Sequence, residues 1–283
     1  MPDGKAQGRR VCLMCGAEAR SFTGEHVFPV WLREFFPIDQ QRRPHNRFYP
    51  DAVLRDPGTK QIRQVCEACN NQWMSGLQTR AKPTFQRLHE GPIYSEKPRV
   101  FTMSADEAHT LTLWAIMTTM VIELLDVHSN SITAEARAKF ARDRSFSPDW
   151  RVWFAQSCMG AERGFTHKRQ LLPHNLEAMN VPRFLAGRPI DWQATTFIAG
   201  RAIFVTTSGI AIPPHVEVWM RQQGFAELSQ ASREVSNGKC VCADNRLRDL
   251  NQTIMKAVSQ HQYPGRAITI FKPTFGGPMQ PVR

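Results

Sequence analysis

The chain has 283 residues, enough to bury a hydrophobic core, and its 42% hydrophobic and 22% charged residues exclude wholesale disorder. Its 36 Lys and Arg residues outnumber 25 Asp and Glu residues, and the net charge of +11 favours a polyanionic partner. The sequence shows no apolar stretch long enough to cross a membrane and no apolar secretory segment near its first residues. We therefore expect a cytoplasmic protein whose cysteines stay reduced.

The sequence predicts two domains in an α+β fold. Residues 1–95 are rich in turns, prolines and polar side chains and contain two close pairs of cysteines. Two prolines flank a polar stretch at 91–98, which predicts a loop and a domain boundary there. Residues 96–283 combine helical and strand patterns without a recognisable chemical motif, so the role of this second domain is left open.

The predicted elements of the second domain begin with a long helix. Ser104 and Glu107 have the spacing of a capping box, and the apolar pattern that follows predicts a helix to about Val127 with one inward face. A second helix is predicted over Ala134–Arg142. Strands are predicted over Arg151–Cys158, Thr195–Ala199, Ala202–Thr207 and Ala267–Phe271. Only two residues separate the second and third of these strands, which predicts a hairpin.

The first domain contains the pattern with the clearest chemical meaning. Cys12 and Cys15 form one CxxC pair, and Cys66 and Cys69 form another after 50 intervening residues. Two intervening residues allow both sulfurs of a pair to face one cation, and four thiolates complete the closed tetrahedral shell of a structural zinc ion. The alternative, four buried reduced cysteines, does not explain the paired spacing. We therefore predict one zinc ion, Zn²⁺, with a structural role.

Two short motifs adjoin the cysteine pairs. Glu25 and His26 are followed three residues later by Pro29, and Asn70 directly follows Cys69. Together these motifs resemble the HNH endonucleases, whose ββα-metal core is often stapled by four cysteines. The local sequences EHVFPVWL and CNNQWMSGL are similar to a bacterial subgroup of predicted HNH proteins that carry a longer C-terminal region. The resemblance covers about the first 85 residues.

The resemblance implies a function and a set of site residues. In the family the histidine acts as general base, which implies that role for His26, while Glu25 and Asn70 would hold a catalytic divalent cation. Oxygen ligands suit Mg²⁺ or Mn²⁺. The implied protein is a metal-dependent endonuclease that hydrolyses phosphodiester bonds in nucleic acid, with DNA as the expected substrate. The oligomeric state stays open, and a homodimer is one possibility.

Several arginines are candidates for phosphate contact. Arg42, Arg43 and Arg47 form a basic loop that either binds phosphate or is simply solvated. The family's middle Asn, which lies a few residues before the second CxxC pair, is missing. Gln61 or Arg63 is the candidate to replace it, by fixing the loop or by contacting phosphate.

Two rival functions remain. The first is a zinc-stabilised binding module without catalytic activity, which the missing middle Asn favours. Gln78 also favours it, because this position is commonly Glu in the subgroup that the chain resembles. The second rival is an RNA-cutting nuclease, since the same chemistry cleaves either nucleic acid. His26 itself has an alternative interpretation as a structural histidine.

Overall fold

The computed structural model describes residues 10–32, 61–90, 100–125, 131–157, 165–172, 192–209, 212–231, 235–237, 240–241, 270–272 and 280–282. Helices and strands both occur among these residues, the strands mostly in consecutive antiparallel runs, and the predicted α+β class is confirmed. None of the helices in this part of the chain is long and apolar enough to cross a bilayer.

Two antiparallel strand pairs form the start of the described chain. Strands β1 (Arg10–Val11) and β2 (Glu18–Ala19) flank a tight turn that contains the first cysteine pair. Strands β3 (Phe22–His26) and β4 (Gln61–Cys66) pair with a register shift between Thr23 and Glu25. The second pair brings residues 35 or more positions apart in the sequence onto neighbouring strands.

A helix follows β4 directly. It begins with a π-helical segment, Cys69–Met74, and continues as α1 (Ser75–His89). The buried side of α1, which includes Leu77, Ala81 and Phe85, packs onto the next long helix. Among the described elements, β3, β4 and this helix therefore follow one another in that order.

Helix α2 (Ala105–Glu123) begins at the predicted capping box. The Ser104 hydroxyl accepts the Glu107 backbone N–H at 3.2 Å, and the Glu107 carboxylate accepts the Ser104 backbone N–H at 2.9 Å. The helix is buried on all sides from Leu111 to Glu123 and not on a single face as predicted. The reason is that α1 packs against it as well as the sheet described below.

Helix α2 ends at Glu123, before the predicted limit near Val127. The Glu123 side chain is fully buried, and its carboxylate accepts backbone N–H groups of Ser131 and Ile132. A buried carboxylate is tolerated only when such donors compensate its desolvation. The chain therefore turns back toward the helix end at this point.

Helix α3 (Ala134–Asp143) matches its prediction within one residue. Thr133 caps its first turn, because the Thr133 hydroxyl accepts the Ala136 backbone N–H at 3.1 Å. The helix ends at Arg144, whose φ of 53° lies in the left-handed region. This backbone conformation costs an L-amino acid about 1–2 kcal/mol, whereas glycine adopts it freely.

The second half of the described chain forms an eight-stranded sheet. Its strand order is β10-β6-β9-β8-β7-β13-β14, with β12 parallel to the end of β6. The strands are β6 (Arg151–Ser157), β7 (Phe165–Leu172), β8 (Trp192–Ala199), β9 (Ala202–Ser208), β10 (Ala226–Glu227), β12 (Cys240–Val241), β13 (Ile270–Lys272) and β14 (Gln280–Val282). Two further strands, β5 (Phe101–Met103) and β11 (Val235–Asn237), pair with each other.

The predicted hairpin is confirmed between β8 and β9. Ala199 pairs with Ala202, and the two residues between them form the turn, with Gly200 at φ +62°. Sequence patterns did not predict β7, nor did they predict helix α4 (Pro214–Gln222). Strand β13 (Ile270–Lys272) overlaps the last predicted strand, Ala267–Phe271, of which residues 267–269 lie outside the described part.

An aromatic cluster forms the centre of the core and draws on both halves of the chain. Phe85 of α1 lies 4.8 Å from Trp114 of α2, measured between ring centroids, and Trp114 lies 5.5 Å from Phe204 of β9. Phe28, just after β3, contacts Phe197 of β8 at 6.1 Å. The region before residue 90 and the sheet therefore share one core. The predicted boundary at 91–98 lies outside the described residues, and the division into two domains stays a prediction.

Candidate metal centre and adjoining polar site

The four predicted zinc ligands converge on one point. Cys12 and Cys15 lie in the β1–β2 turn, Cys66 ends β4, and Cys69 begins the π-helical segment. All four sulfur atoms lie within 4.8 Å of one another, and the Sγ atoms of Cys15 and Cys66 are 3.9 Å apart. A tetrahedral zinc ion with Zn–S bonds of about 2.3 Å spaces its sulfurs about 3.8 Å apart. The cluster therefore fits one zinc ion.

Backbone hydrogen bonds explain why the sulfurs meet. The Gly16 N–H donates to the Cys12 carbonyl at 2.9 Å and closes the first CxxC turn, where Gly16 has a φ of +74°. The Leu13 N–H donates to the Gln64 carbonyl at 3.0 Å and fastens this turn to β4. The Cys66 N–H then donates to the Cys12 sulfur at 3.3 Å. A backbone N–H aimed at sulfur stabilises the thiolate that a metal requires.

Without a cation the clustered sulfurs compete for protons. A hydrogen bond from Cys69 lowers the pKa of Cys12 to about 4. The same hydrogen bond raises the pKa of the Cys69 thiol, and burial raises the pKa of the Cys66 thiol. Four adjacent thiolates repel one another unless a divalent charge lies between them. Binding of one divalent cation in place of these protons would remove the repulsion between the four thiolates.

Glu25 and His26 lie together at the end of β3, as the sequence predicts, but their surroundings differ. Glu25 is only 3% exposed, and the Gln78 side-chain amide of α1 donates to its Oε1 at 3.0 Å. His26 is half-buried and pairs with Gln61 at the start of β4, with 2.7 Å between the Nε2 atoms of the two side chains. The carboxylate thus faces the helix, while the imidazole meets the neighbouring strand.

Burial dominates the electrostatics of Glu25. Desolvation raises the pKa of its carboxyl group to about 8, and the hydrogen bond from Gln78 opposes this only in part. At neutral pH, in the absence of a cation, the group is therefore largely protonated. A divalent cation would favour the ionised form, because a nearby positive charge offsets the cost of burial.

This raised pKa predicts a pH-dependent stability difference between the wild type and Glu25→Gln. The folded pKa lies above the unfolded value of 4.5, so the wild type loses stability as pH rises from about 4.5 to about 8. The loss is at most about 1.4 kcal/mol per pH unit. Glu25→Gln keeps the hydrogen bond from Gln78 but does not ionise. Its advantage in free energy of unfolding should grow through this window and then level off.

Urea unfolding of both proteins at pH 4.5, 6 and 8, without added divalent cations, measures this difference. Parallel stability curves would show that Glu25 ionises in the folded protein as it does in water.

The side chain of Gln61 reaches His26 by crossing Gly24. A Cβ atom added at Gly24 would lie 2.4 Å from Oε1 of Gln61, too close for any contact. The glycine therefore leaves the space through which the amide approaches the imidazole. The Gln61 amide nitrogen can only donate, so the Nε2 atom of His26 accepts, and this hydrogen bond fixes the plane of the ring. Gln61 and Arg63 are the two candidates to replace the missing middle Asn of the family pattern, and Gln61 is the one whose side chain contacts His26.

Asn70 lies close to Glu25 in the fold but does not contact it. Its Nδ2 donates to the Thr23 hydroxyl at 2.7 Å, two residues before Glu25 on β3. This bond uses the amide nitrogen, and the Oδ1 oxygen is the atom that suits a hard cation. The joint binding of one cation by Glu25 and Asn70 stays a prediction.

Among the described residues, the four cysteines are the one group of three or more His, Cys, Asp or Glu side chains placed to hold a metal ion. A second cation at Glu25 would have one protein carboxylate and would keep several waters, as Mg²⁺ commonly does.

Arg63 is exposed on β4, two residues from Gln61 and on the same side of the strand. Arg42, Arg43 and Arg47 lie outside the described residues.

Sequence reasoning missed the partner of Glu25. Gln78 stood out only as a departure from the family, yet its amide is the group that holds the buried carboxyl. Its position eight residues after Asn70, two helical turns along the same face, was the available signal.

Comparisons of the chain with protein-family models, with curated proteins and with solved structures found no match.

Proposed function

We propose that this chain is a metal-dependent endonuclease of HNH type that hydrolyses phosphodiester bonds in nucleic acid, with DNA as the expected substrate. One observation carries the proposal. His26 ends β3 beside a buried carboxyl group, and Gln61 of the paired strand holds its ring, while the helix that follows begins at the four-cysteine cluster. This strand–strand–helix order is the one that the motif resemblance implies.

Hydrolysis of a phosphodiester requires a water nucleophile and stabilisation of the charge that develops on phosphate. His26 would take the proton from water through Nδ1, which requires the Gln61 amide to turn so that its Oε1 accepts the Nε2 proton of the ring. Imidazole suits this role because it titrates near neutral pH. Glu25 and Asn70 would hold the divalent cation. When bound, such a cation polarises the phosphate and stabilises the leaving oxygen.

The zinc ion would have no part in the chemistry. Four thiolates leave no open position for water or substrate, which is the property of a structural site. Its contribution would be positional, because Cys66 ends β4 and Cys69 starts the helix that carries Asn70 and Gln78. One metal would hold the site together, and the other would act on phosphate.

A nicking assay on supercoiled plasmid tests the proposal. Purified protein should cut with Mg²⁺ or Mn²⁺, lose the activity when EDTA is added briefly, and regain it with either cation but not with zinc alone. Labelled DNA and RNA of equal sequence, incubated in parallel, decide between the two substrates. Failure to cut either nucleic acid with any divalent cation would overturn the nuclease function.

The burial of Glu25 favours the rival function of a non-catalytic binding module. Gln78 donates to Glu25 and favours its ionised form, but burial outweighs this bond and favours a neutral carboxyl group, where a cation site needs it ionised. If this arrangement persists with Mg²⁺ present, the protein would bind nucleic acid without cutting it. Binding with no cleavage in the assay above is the result that selects this rival.

We expect nucleic-acid affinity to fall steeply with salt, because basic side chains release counterions from phosphate. Replacing Arg42, Arg43 and Arg47 together by Gln should lower the slope of log K against log [salt] by about three, and Arg63→Gln by about one. Fluorescence anisotropy from 50 to 300 mM NaCl measures the slopes. Arg142→Gln is the control, since Arg142 pairs with Asp143 on α3. An unchanged slope in the triple variant would mean that this loop does not contact phosphate.

A further inference from the structure

An arginine from the second half of the chain shares a cleft with the zinc ligands. The cleft has a volume of about 350 Å³, and its walls include Cys15, Cys66 and Cys69 together with Arg144. The guanidinium carbon of Arg144 lies 4.3 Å from the centre of the Trp73 ring, which also lines the cleft. Stacking on this ring restricts the position of the Arg144 guanidinium group.

Local interactions do not account for the position of Arg144. Its Nη1 atom is buried and has no hydrogen-bond partner among the described residues. Its backbone has the left-handed conformation that glycine would adopt without strain. Burial opposes the charged form of Arg144 and lowers its pKa. The same cleft is lined by Cys15, Cys66 and Cys69, whose thiolates in a metal-bound cluster would supply the negative charge that favours a guanidinium there.

Helix α3 is fixed against the same cluster, so Arg144 is held there by the fold. The Nε of Arg137 donates to the Leu13 carbonyl, inside the first CxxC pair, at 2.8 Å. Arg137 also forms an ion pair with buried Glu123 at 3.4 Å and is itself 6% exposed in its side chain. Arg144 lies seven residues after Arg137, two helical turns along the same face.

Four thiolates and one Zn²⁺ carry a net charge of −2. In a partly buried site this charge weakens the retention of all four ligands in their ionised form. We propose that Arg144 is a positioning residue of the zinc site: its guanidinium, held on Trp73, offsets the negative charge of the four-thiolate cluster and slows the release of zinc. The proposal rests on the four-cysteine site and does not depend on nuclease activity.

Zinc release from the full chain tests this proposal with three variants. Arg144→Gly removes the charge but relieves the left-handed backbone, Arg144→Lys retains the charge, and Arg142→Gln removes an exposed arginine from the same helix end. Each zinc-loaded protein is mixed with excess 4-(2-pyridylazo)resorcinol, and the absorbance of the zinc complex gives the release rate. Melting temperatures in zinc-containing buffer are measured in parallel.

Arg144→Gly should release zinc about 10-fold faster or more, the range typical of groups that support metal ligands, while its melting temperature with zinc stays equal or rises. Arg144→Lys should stay within about threefold of the wild type, and Arg142→Gln within about twofold. A merely structural role would predict slower release from Arg144→Gly, because the substitution stabilises the helix end. Equal release by Arg144→Gly and the wild type, or by Arg144→Lys and Arg144→Gly, would overturn the proposal.

Discussion

Replacing His26 by alanine is expected to lower the cleavage rate by about 10²-fold or more, the usual contribution of a positioned general base. Zinc content and melting temperature should change little, because His26 is half-buried and is not one of the four zinc ligands. Single-turnover cleavage of a labelled duplex in saturating Mg²⁺ measures the rate. Metal analysis and thermal unfolding of the same preparation provide the two structural readings.

Two further variants distinguish the role of His26 from that of Gln61, which holds the imidazole ring. Gln61→Ala keeps the imidazole but removes the group that holds its ring, so we expect a smaller loss, about 10-fold. His215→Ala is the matched control, since His215 is an exposed histidine on α4. Added imidazole should partly restore the cleavage rate of His26→Ala and should leave the cleavage rate of Gln61→Ala unchanged. Equal cutting by His26→Ala and the wild type, with fold and zinc intact, would mean that His26 is structural.

Replacing Cys69 by serine is expected to release the zinc ion and to unfold the region around it. Structural zinc sites contribute on the order of 10 kcal/mol or more of apparent binding free energy, and loss of one thiolate forfeits much of it. The wild type should carry about one zinc per chain, and Cys69→Ser close to none. Inductively coupled plasma mass spectrometry on freshly reduced protein measures the metal.

The effect should reach beyond the cluster, because the core is shared. Phe28 and Phe85 come from the region around the four-cysteine cluster but pack on Phe197 and Trp114. We therefore expect the tryptophan emission of Cys69→Ser to shift to the red and its melting transition to broaden. Cys158→Ser, to which no metal role is assigned, is the control. Zinc-free wild-type protein, or full zinc content in Cys69→Ser, would contradict the zinc site.

The sequence by itself determined the features that depend on neighbours along the chain. The capping box at Ser104 and Glu107, the two-residue turn after Ala199 and the start of helix α3 all lie where their patterns predict them. These features are local, since hydrogen bonds within one turn decide them. The spacing of the two CxxC pairs likewise predicts a shared metal site. The fold then brings their four sulfur atoms within 4.8 Å of one another.

Only the tertiary structure decided which polar groups meet. Gln78 and Glu25 are 53 residues apart, and Gln61 and His26 are 35 apart, so local spacing does not set either contact. Their contacts depend on the register of β3 against β4 and on the packing of α1 across both strands. Such long-range placement follows from burial of the shared apolar core, which carries little information about its polar partners. For the same reason, Arg144 looks unremarkable in the sequence and lies in the zinc cleft in the fold.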